Sequence, residues 1–192
     1  MRIDNLNDTL ELFGQIGGRG NENCVFFANK DQAGITESGT LSKAVVGGVA
    51  NRLTGGVSGL VGEIADMAMG SDYSIGEFQR ELNLDVLDNY TQFLINETED
   101  TIAIIPIRFK SKLHYKVNEV QLFPENGRVI PKSVIEKIEI NKFSFITPTI
   151  RGLQFKLLDG YKLEFMVATN LKTLPYHIGN FKIFNAKYAN KK

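Results

Sequence analysis

The spacing of apolar residues changes near Asn89. Before that residue, over positions 44–69, apolar residues recur every three or four positions, which is typical of one face of a helix. After it, short runs of alternating apolar and polar residues are separated by turn residues, which is typical of antiparallel strands. The pattern therefore predicts two parts, an N-terminal segment over 1–88 and a β-rich domain over 89–192.

The stretch 44–70 combines the helical spacing with many glycines. Each glycine destabilises a helix interior by about 0.5–1 kcal/mol relative to alanine, so a helix over 41–69 needs a packing partner. Gly55 and Gly59 have the GxxxG spacing that lets two helices approach closely. The candidate residues of this helix-docking surface are Val49, Leu53, Gly55, Val57, Gly59, Leu60 and Ile64.

Other interpretations of the same stretch fit less well. A membrane span needs about 20 predominantly apolar residues, and Asn51 and Arg52 interrupt the best window. A helix lying on a membrane surface would carry many lysines and arginines on its polar face, and this face is sparse and partly acidic. The pattern favours a helix packed on its own domain or on another subunit, or a mobile segment that docks on a partner.

Two more elements are predicted in the N-terminal part. A strand is expected near 23–28, where it joins the sheet or pairs with another copy of the chain. Ser74 and Glu77 match a capping box and predict a second helix over about 75–88. The apolar face of that helix would consist of Phe78, Leu82, Leu84 and Leu87.

The C-terminal part predicts about seven strands and a final helix. Runs over 90–95 and 101–109 flank the turn sequence NETED and predict a hairpin, with Pro106 at an edge or bulge. Asp159 and Gly160 predict a second hairpin over 153–167 with a two-residue type I′ turn. Further strands are expected at 114–123, 128–130 and 134–140, and the final helix places Phe181, Phe184 and Tyr188 on one face.

The segments RVIPKSVIEKIEINKF, LQFKLLDGYKLEF and NFKIFNAKY resemble bacterial pleckstrin-homology-like and GRAM-like domains in hydrophobic pattern and element order. The resemblance covers 89–192. It implies an α+β fold in which a curved antiparallel sheet or partly open barrel is capped by a C-terminal helix. The helical glycine-rich segment, which has no counterpart in that family, is expected to precede this domain. The resemblance also implies a binding module for phosphoinositides, peptides or other proteins.

Lipid-binding members of that family use basic residues on the first strand, its loop and the second strand. The corresponding loop here, 96–100, is acidic and would repel a phosphate. A basic strip further on alternates mostly by two along extended chain, so its side chains share one face, although an ordinary solvated strand edge carries such lysines too. These candidate lipid- or anion-binding residues are Arg108, Lys110, Lys112 and Lys116. Nucleic acid is not favoured as a partner, because no nucleic-acid motif is present.

The remaining chemistry favours a protein that is not an enzyme and needs no metal or cofactor. His114 and His177 are the only histidines, and neither has a metal-ligand or triad pattern beside it, so a packing role is expected for His177. The glycine-rich 17–20 is interpreted as a flexible turn without a phosphate-binding lysine. Cys24 is the only cysteine, which excludes an intrachain disulfide and favours a cytoplasmic setting and an inert, buried thiol.

The formal net charge of zero conceals an asymmetry between the two parts. Residues 1–88 hold 6 Lys/Arg and 13 Asp/Glu, a net charge of −7, and residues 89–192 hold 16 and 9, a net charge of +7. The sequence predicts a non-catalytic binding or scaffold protein that acts through protein–protein association, including self-association through the glycine-rich helix. The alternative is peripheral attachment to an anionic membrane through the basic strip.

Overall fold

An open antiparallel sheet of eight strands forms the centre of the molecule, in a computed structural model that describes residues 2–30, 76–109, 120–142 and 148–189. The strands are β1 (Cys24–Asn29), β2 (Gln92–Glu97), β3 (Thr101–Phe109), β4 (Val120–Leu122), β5 (Arg128–Pro131), β6 (Ile135–Lys142), β7 (Ile150–Leu157) and β8 (Lys162–Ala168). The α-helices are α1 (Leu6–Gln15), α2 (Glu77–Glu81) and α3 (His177–Tyr188). Short 3-10 helices cover Leu84–Asn89, Pro124–Asn126 and Lys132–Val134.

The strands lie in the order β4-β3-β2-β1-β8-β7-β6, and β5 pairs with β3 beside β4. The predicted early strand is confirmed as β1, and it joins the sheet between β2 and β8. It pairs with β2 along its whole length, from Cys24 opposite Glu97 to Asn29 opposite Gln92. It meets β8 at a single pair, Asn29 opposite Met166. The chain before Asn89 thus supplies a central strand to the sheet predicted for 89–192.

Both faces of the sheet are covered. The side chains of β1 alternate between two hydrophobic clusters, one on each face. On one face Phe26 packs against α3, with ring centroids 5.3 Å from Phe181 and 4.8 Å from Phe184. On the other face Val25 and Phe27 belong to the cluster that contains the buried apolar residues of α1. Full burial of each such side chain stabilises the fold by about 1.5–3 kcal/mol. Because the side chains of β1 point alternately to the two faces of the sheet, a helix on each face is needed to bury them, and this gives the α+β layers. The predicted buried face of the final helix is confirmed at Phe181 and Phe184.

The predicted helix over 75–88 is wrong in its length, because the structure divides it into two short elements. The structure begins α2 after Gly76, whose φ of 79° makes it a left-handed cap without a side-chain hydrogen bond, and Ser74 lies outside the described residues. Asn83, at φ 50°, then interrupts the helix before the 3-10 turn Leu84–Asn89. The predicted apolar face is nevertheless buried or packed on the core, with Phe78, Leu84 and Leu87 buried and Leu82 against them.

The hairpin between β7 and β8 is confirmed, but its turn has three residues and not two. The Leu157 amide donates to the Tyr161 carbonyl at 2.8 Å, and the Gly160 amide donates to the Leu157 carbonyl at 3.0 Å. A type I′ turn needs positive φ at both central residues, and here only Gly160, at 84°, has it. The carboxylate of Asp159 explains the difference, because it accepts the amides of Tyr161 at 3.0 Å and Phe78 at 2.7 Å.

The other strand predictions hold where the structure describes them. β2 and β3 form the expected hairpin, and β5 and β6 lie at the two further runs. Pro106 lies where the partner of β3 changes from β5 to β4, so the missing amide hydrogen falls in a gap between two ladders. The run 114–123 is seen as β4, and 110–119 lies outside the described residues.

Candidate functional site

One end of the sheet holds the attachment points of both predicted binding elements. At this end Asn29 of β1 lies opposite Gln92 of β2, and the Lys30 amide donates to the Thr91 carbonyl at 2.8 Å. The Phe109 amide, at the end of β3, donates to Oε1 of Gln92 at 2.8 Å. We call the end defined by Lys30, Gln92 and Phe109 the loop end.

The chain continues from Lys30 into 31–75, which contains the glycine-rich stretch, and from Phe109 into 110–119, which contains most of the basic strip. Arg108 is the member of the basic strip within the described residues; it is exposed, and its Cζ lies 5.7 Å from the centroid of the Phe123 ring. The candidates outside the described residues are Lys110, Lys112, Lys116, Val49, Leu53, Gly55, Val57, Gly59, Leu60 and Ile64. The sequence assigned these two elements separately, and the topology attaches them to strands on either side of β2.

A second cation at the loop end is engaged within the fold. Nζ of Lys30 lies 2.6 Å from Oδ1 of Asp88 and 5.8 Å from the centroid of the Phe93 ring. This ion pair joins the end of β1 to the turn that leads into β2. Lys30 therefore serves the fold, and Arg108 is left as the exposed basic residue of β3 at this end.

The junction between α3 and the sheet contains the histidine for which a packing role was predicted. Two residues beyond the Asn29–Met166 pair, the same register would place Phe27 opposite Ala168, but the imidazole of His177 lies between them. The Phe27 amide donates to Nδ1 at 3.0 Å, and Nε2 is 2.5 Å from the Ala168 carbonyl oxygen. Because Nδ1 accepts, Nε2 carries the proton and donates. Burial lowers the pKa of His177, and the hydrogen bond to Ala168 only partly opposes it.

Asn180, one helical turn further along α3, continues this pairing with the edge of β1. Its Nδ2 donates to the Val25 carbonyl at 2.9 Å, and its own carbonyl accepts from Sγ of Cys24 at 3.1 Å. Burial raises the pKa of Cys24 to about 11, and the negative charge of Glu97 adds to the shift. A thiol with so high a pKa is protonated at neutral pH and is a poor nucleophile, which agrees with the inert role predicted for it.

Glu97, at the end of β2, ties the last turn of α3 to the sheet. Its Oε1 lies 2.7 Å from Nζ of Lys132 and 2.7 Å from Nζ of Lys187, and it accepts the hydroxyl of Tyr188. Burial alone would raise the pKa of Glu97, but these three donors outweigh it and lower the pKa. Burial and the neighbouring Glu97 raise the pKa of Tyr188 to about 12.

The sequence predicts Glu97 to lie in an acidic loop that repels anions, and the structure corrects that prediction. Two ammonium groups neutralise Glu97, and the Glu99 carboxylate accepts the Glu22 amide at 2.8 Å. The missed partners lie far away along the chain, so no local pattern identifies them. The loop lies at the end of the sheet opposite the loop end, since Glu97 pairs with Ile102 where β3 begins.

The glycine turn over 17–20 is packed against the sheet, and the interpretation as a flexible turn is wrong. A Cβ on Gly18 would lie 2.3 Å from Cβ of Ala103, so only glycine fits against β3. Asn96 holds the turn by donating to the Gly18 carbonyl at 2.8 Å. An open cleft of about 570 Å³ lies between this turn and the loop after β2.

Within the four described ranges, no three His, Cys, Asp or Glu side chains are grouped to hold a metal ion. None of the helices placed by the structure is both long and apolar enough to cross a membrane. Comparison of the chain with models of protein families, with curated proteins and with solved structures found no match. The resemblance to pleckstrin-homology-like domains therefore rests on the residues and on the order of the elements.

Proposed function

We propose that the protein is a non-catalytic binding module with a pleckstrin-homology-like architecture, and that it associates with a protein partner, including a second copy of itself, through the loop end. The order of the strands supports the architecture. β1 to β5 form one half, β6 to β8 form the other, and the two halves meet at β1 and β8 beside the C-terminal helix.

The observation that carries the proposal is the position of Lys30 and Phe109 on either side of Gln92. A docking element and a basic strip that leave the sheet at the same end, from the strands on either side of β2, can contact one partner together. Within the binding module, 31–75 is thus an insertion between the adjacent strands β1 and β2, and it does not precede the module as the sequence suggested. Such connections commonly carry function on a rigid scaffold.

A non-catalytic role is supported by what the ionisable side chains do. Both ring nitrogens of His177 contact backbone groups, and Glu97 is occupied by Lys132, Lys187 and Tyr188. A general base or nucleophile must keep an atom available to substrate. These groups instead join α3 to the sheet.

The test is the molar mass of the full chain and of a variant lacking 40–70, measured by light scattering over a range of concentrations. The hydrogen bond from the Lys30 amide to the Thr91 carbonyl, which joins β1 to the start of β2, lies outside the deleted residues, so we expect the sheet to remain intact. We expect the full chain to gain mass with concentration and the deletion variant to remain monomeric.

A pair of point variants sharpens that test. Leu53→Asp places a charge on the predicted stripe, and Asn51→Asp places the same charge off it. The proposal predicts that only Leu53→Asp prevents association. A full chain that stays monomeric at every concentration and captures no protein partner, or equal effects of the two variants, would contradict it.

A second candidate, attachment to an anionic membrane, is favoured by the exposure of Arg108 on β3 at the loop end. Its test is flotation with phosphatidylserine vesicles at low and high salt, because binding to anionic lipid weakens steeply as salt screens the charges. Arg108→Glu should reduce flotation, whereas Lys182→Glu, an equal change at an exposed position of α3, should not. Flotation that does not respond to salt or to Arg108→Glu would exclude this candidate.

A further inference from the structure

The imidazole of His177 fills a gap in the sheet that only its neutral form can fill. Nδ1 accepts the Phe27 amide and Nε2 donates to the Ala168 carbonyl, so the ring bridges two strands that do not pair directly there. A protonated imidazole has two donors and no acceptor. Its Nδ1 hydrogen would then face the amide hydrogen of Phe27, and the bridge would be lost.

We propose that His177 is a pH-sensitive latch, which holds the first turn of α3 between β1 and β8 while its ring is neutral and releases that turn when the ring is protonated. This inference does not depend on the proposed binding function. It assigns to α3 a reversible attachment at its N-terminal end.

In the described part of the chain, the groups around His177 offer no counter-ion for a protonated ring. Within α3 the ring stacks on Phe181, with centroids 6.1 Å apart and planes 10° apart, and Asn180 is uncharged. Farther along the packed elements, β8 carries Lys162 and Glu164, and Glu164 bonds Gln154, while α3 carries Lys182, Lys187 and Tyr188 beyond Phe181. The remaining titratable groups are Cys24 of β1 and Tyr176 before α3, and burial raises their pKa to about 11 and about 12. Both are neutral between pH 5 and 8. Among the described residues, burial and the bond to Ala168 are what set the pKa of His177, and burial prevails.

The release is local because the other end of α3 is held independently. Lys187 and Tyr188 bind Glu97, whose lowered pKa keeps it ionised well below neutral pH. The folded-state pKa of His177 is lowered, so its contribution is present above the ordinary value of about 6.5 and is lost as the pH falls below it. The first turn of α3 therefore opens in mildly acidic solution while the last turn remains attached.

The experiment is amide hydrogen exchange of the full chain, followed residue by residue at pH 7.5 and pH 5.5. The reporter is the Phe27 amide, whose acceptor is His177, and the reference is the Leu94 amide in β2 opposite it. Release of a group with an ordinary pKa of about 6.5 predicts that the protection factor of Phe27 falls about tenfold relative to Leu94. Equal changes at Phe27 and Leu94 would overturn the proposal.

A variant and a direct observation of the ring complete the test. His177→Gln retains an acceptor and a donor but does not titrate, so its Phe27 protection factor should not depend on pH. A tenfold fall that persists in this variant would overturn the proposal. Nitrogen-15 chemical shifts of the wild-type ring keep the test valid if the variant does not fold. They should show an unprotonated Nδ1 at pH 7.5, and a protonated Nδ1 there would overturn the latch.

Discussion

Oε1 of Glu97 and Nζ of Lys187 lie 2.7 Å apart, and they join the end of β2 to the last turn of α3. The carboxylate is 5% exposed, whereas the lysine is 54% exposed. The lysine can turn to water if its partner is lost, but the carboxylate depends on its donors. Glu97 therefore carries the stabilising role of this contact.

Glu97→Gln should lower the free energy of unfolding by about 1–3 kcal/mol, because it weakens charge-assisted hydrogen bonds from Lys132 and Lys187. Urea denaturation measures the change. Glu99→Gln is the matched control, since Glu99 is exposed and lies two residues away, and it should have a much smaller effect. Equal losses in the two variants would show that the buried position of Glu97 does not matter.

The same carboxylate predicts how stability depends on acid. The pKa of Glu97 is lowered in the folded state, so its contribution is present above the ordinary value near 4.3 and is lost as the pH falls through the folded-state pKa. The urea midpoint of the wild type should decline below about pH 4.5, and Glu97→Gln should reduce that decline. An identical acid profile for the two proteins would contradict the assignment.

Gly18→Ala should destabilise the fold by about 1–3 kcal/mol, because the new Cβ would lie 2.3 Å from Cβ of Ala103. Gly179→Ala provides the opposite case. Gly179 lies within α3 with open space at its Cβ position, so alanine should stabilise by about 0.5–1 kcal/mol. Thermal unfolding of both variants measures the difference, and a stable Gly18→Ala protein would show that the glycine turn is not packed as described.

Asp159→Ala should cost about 1–3 kcal/mol, since it leaves the buried Phe78 amide without this acceptor and removes the bond to the Tyr161 amide. Asp159→Asn keeps one carbonyl oxygen and should recover part of the loss. Urea midpoints of the two variants provide the comparison. If alanine and asparagine are equally destabilising, hydrogen bonding is not what the carboxylate contributes.

The sequence correctly predicted those strands and helices whose buried face is visible in the spacing of their own residues. The alternation in 101–109 and in 153–167 identified β3 and the β7–β8 hairpin, because alternate side chains of a strand face opposite sides of the sheet. The spacing of Phe181 and Phe184 identified the buried face of α3 in the same way. The apolar run near 23–28 also predicted a strand, which is β1, but it did not indicate that this strand lies in the centre of the sheet.

The errors have long-range causes. The turn at Asp159 departs from type I′ because its carboxylate contacts Phe78, which is 81 positions away. Glu97 and His177 each have partners on two other elements of the fold, and nothing in their immediate sequence indicates which. The position of Lys30 and Phe109 on either side of Gln92, which defines the candidate site, is likewise a property of the order of strands and not of either segment.

The most direct test of association through the loop end is hydrogen exchange of the full chain at high and low protein concentration. We expect the protection gained at high concentration to be confined to 31–75 and to peptides that contain Lys30, Gln92 and Phe109. The loop at 98–100, at the opposite end of the sheet, serves as the internal control and should not change. Protection gained at 98–100 in place of the loop end would contradict the account.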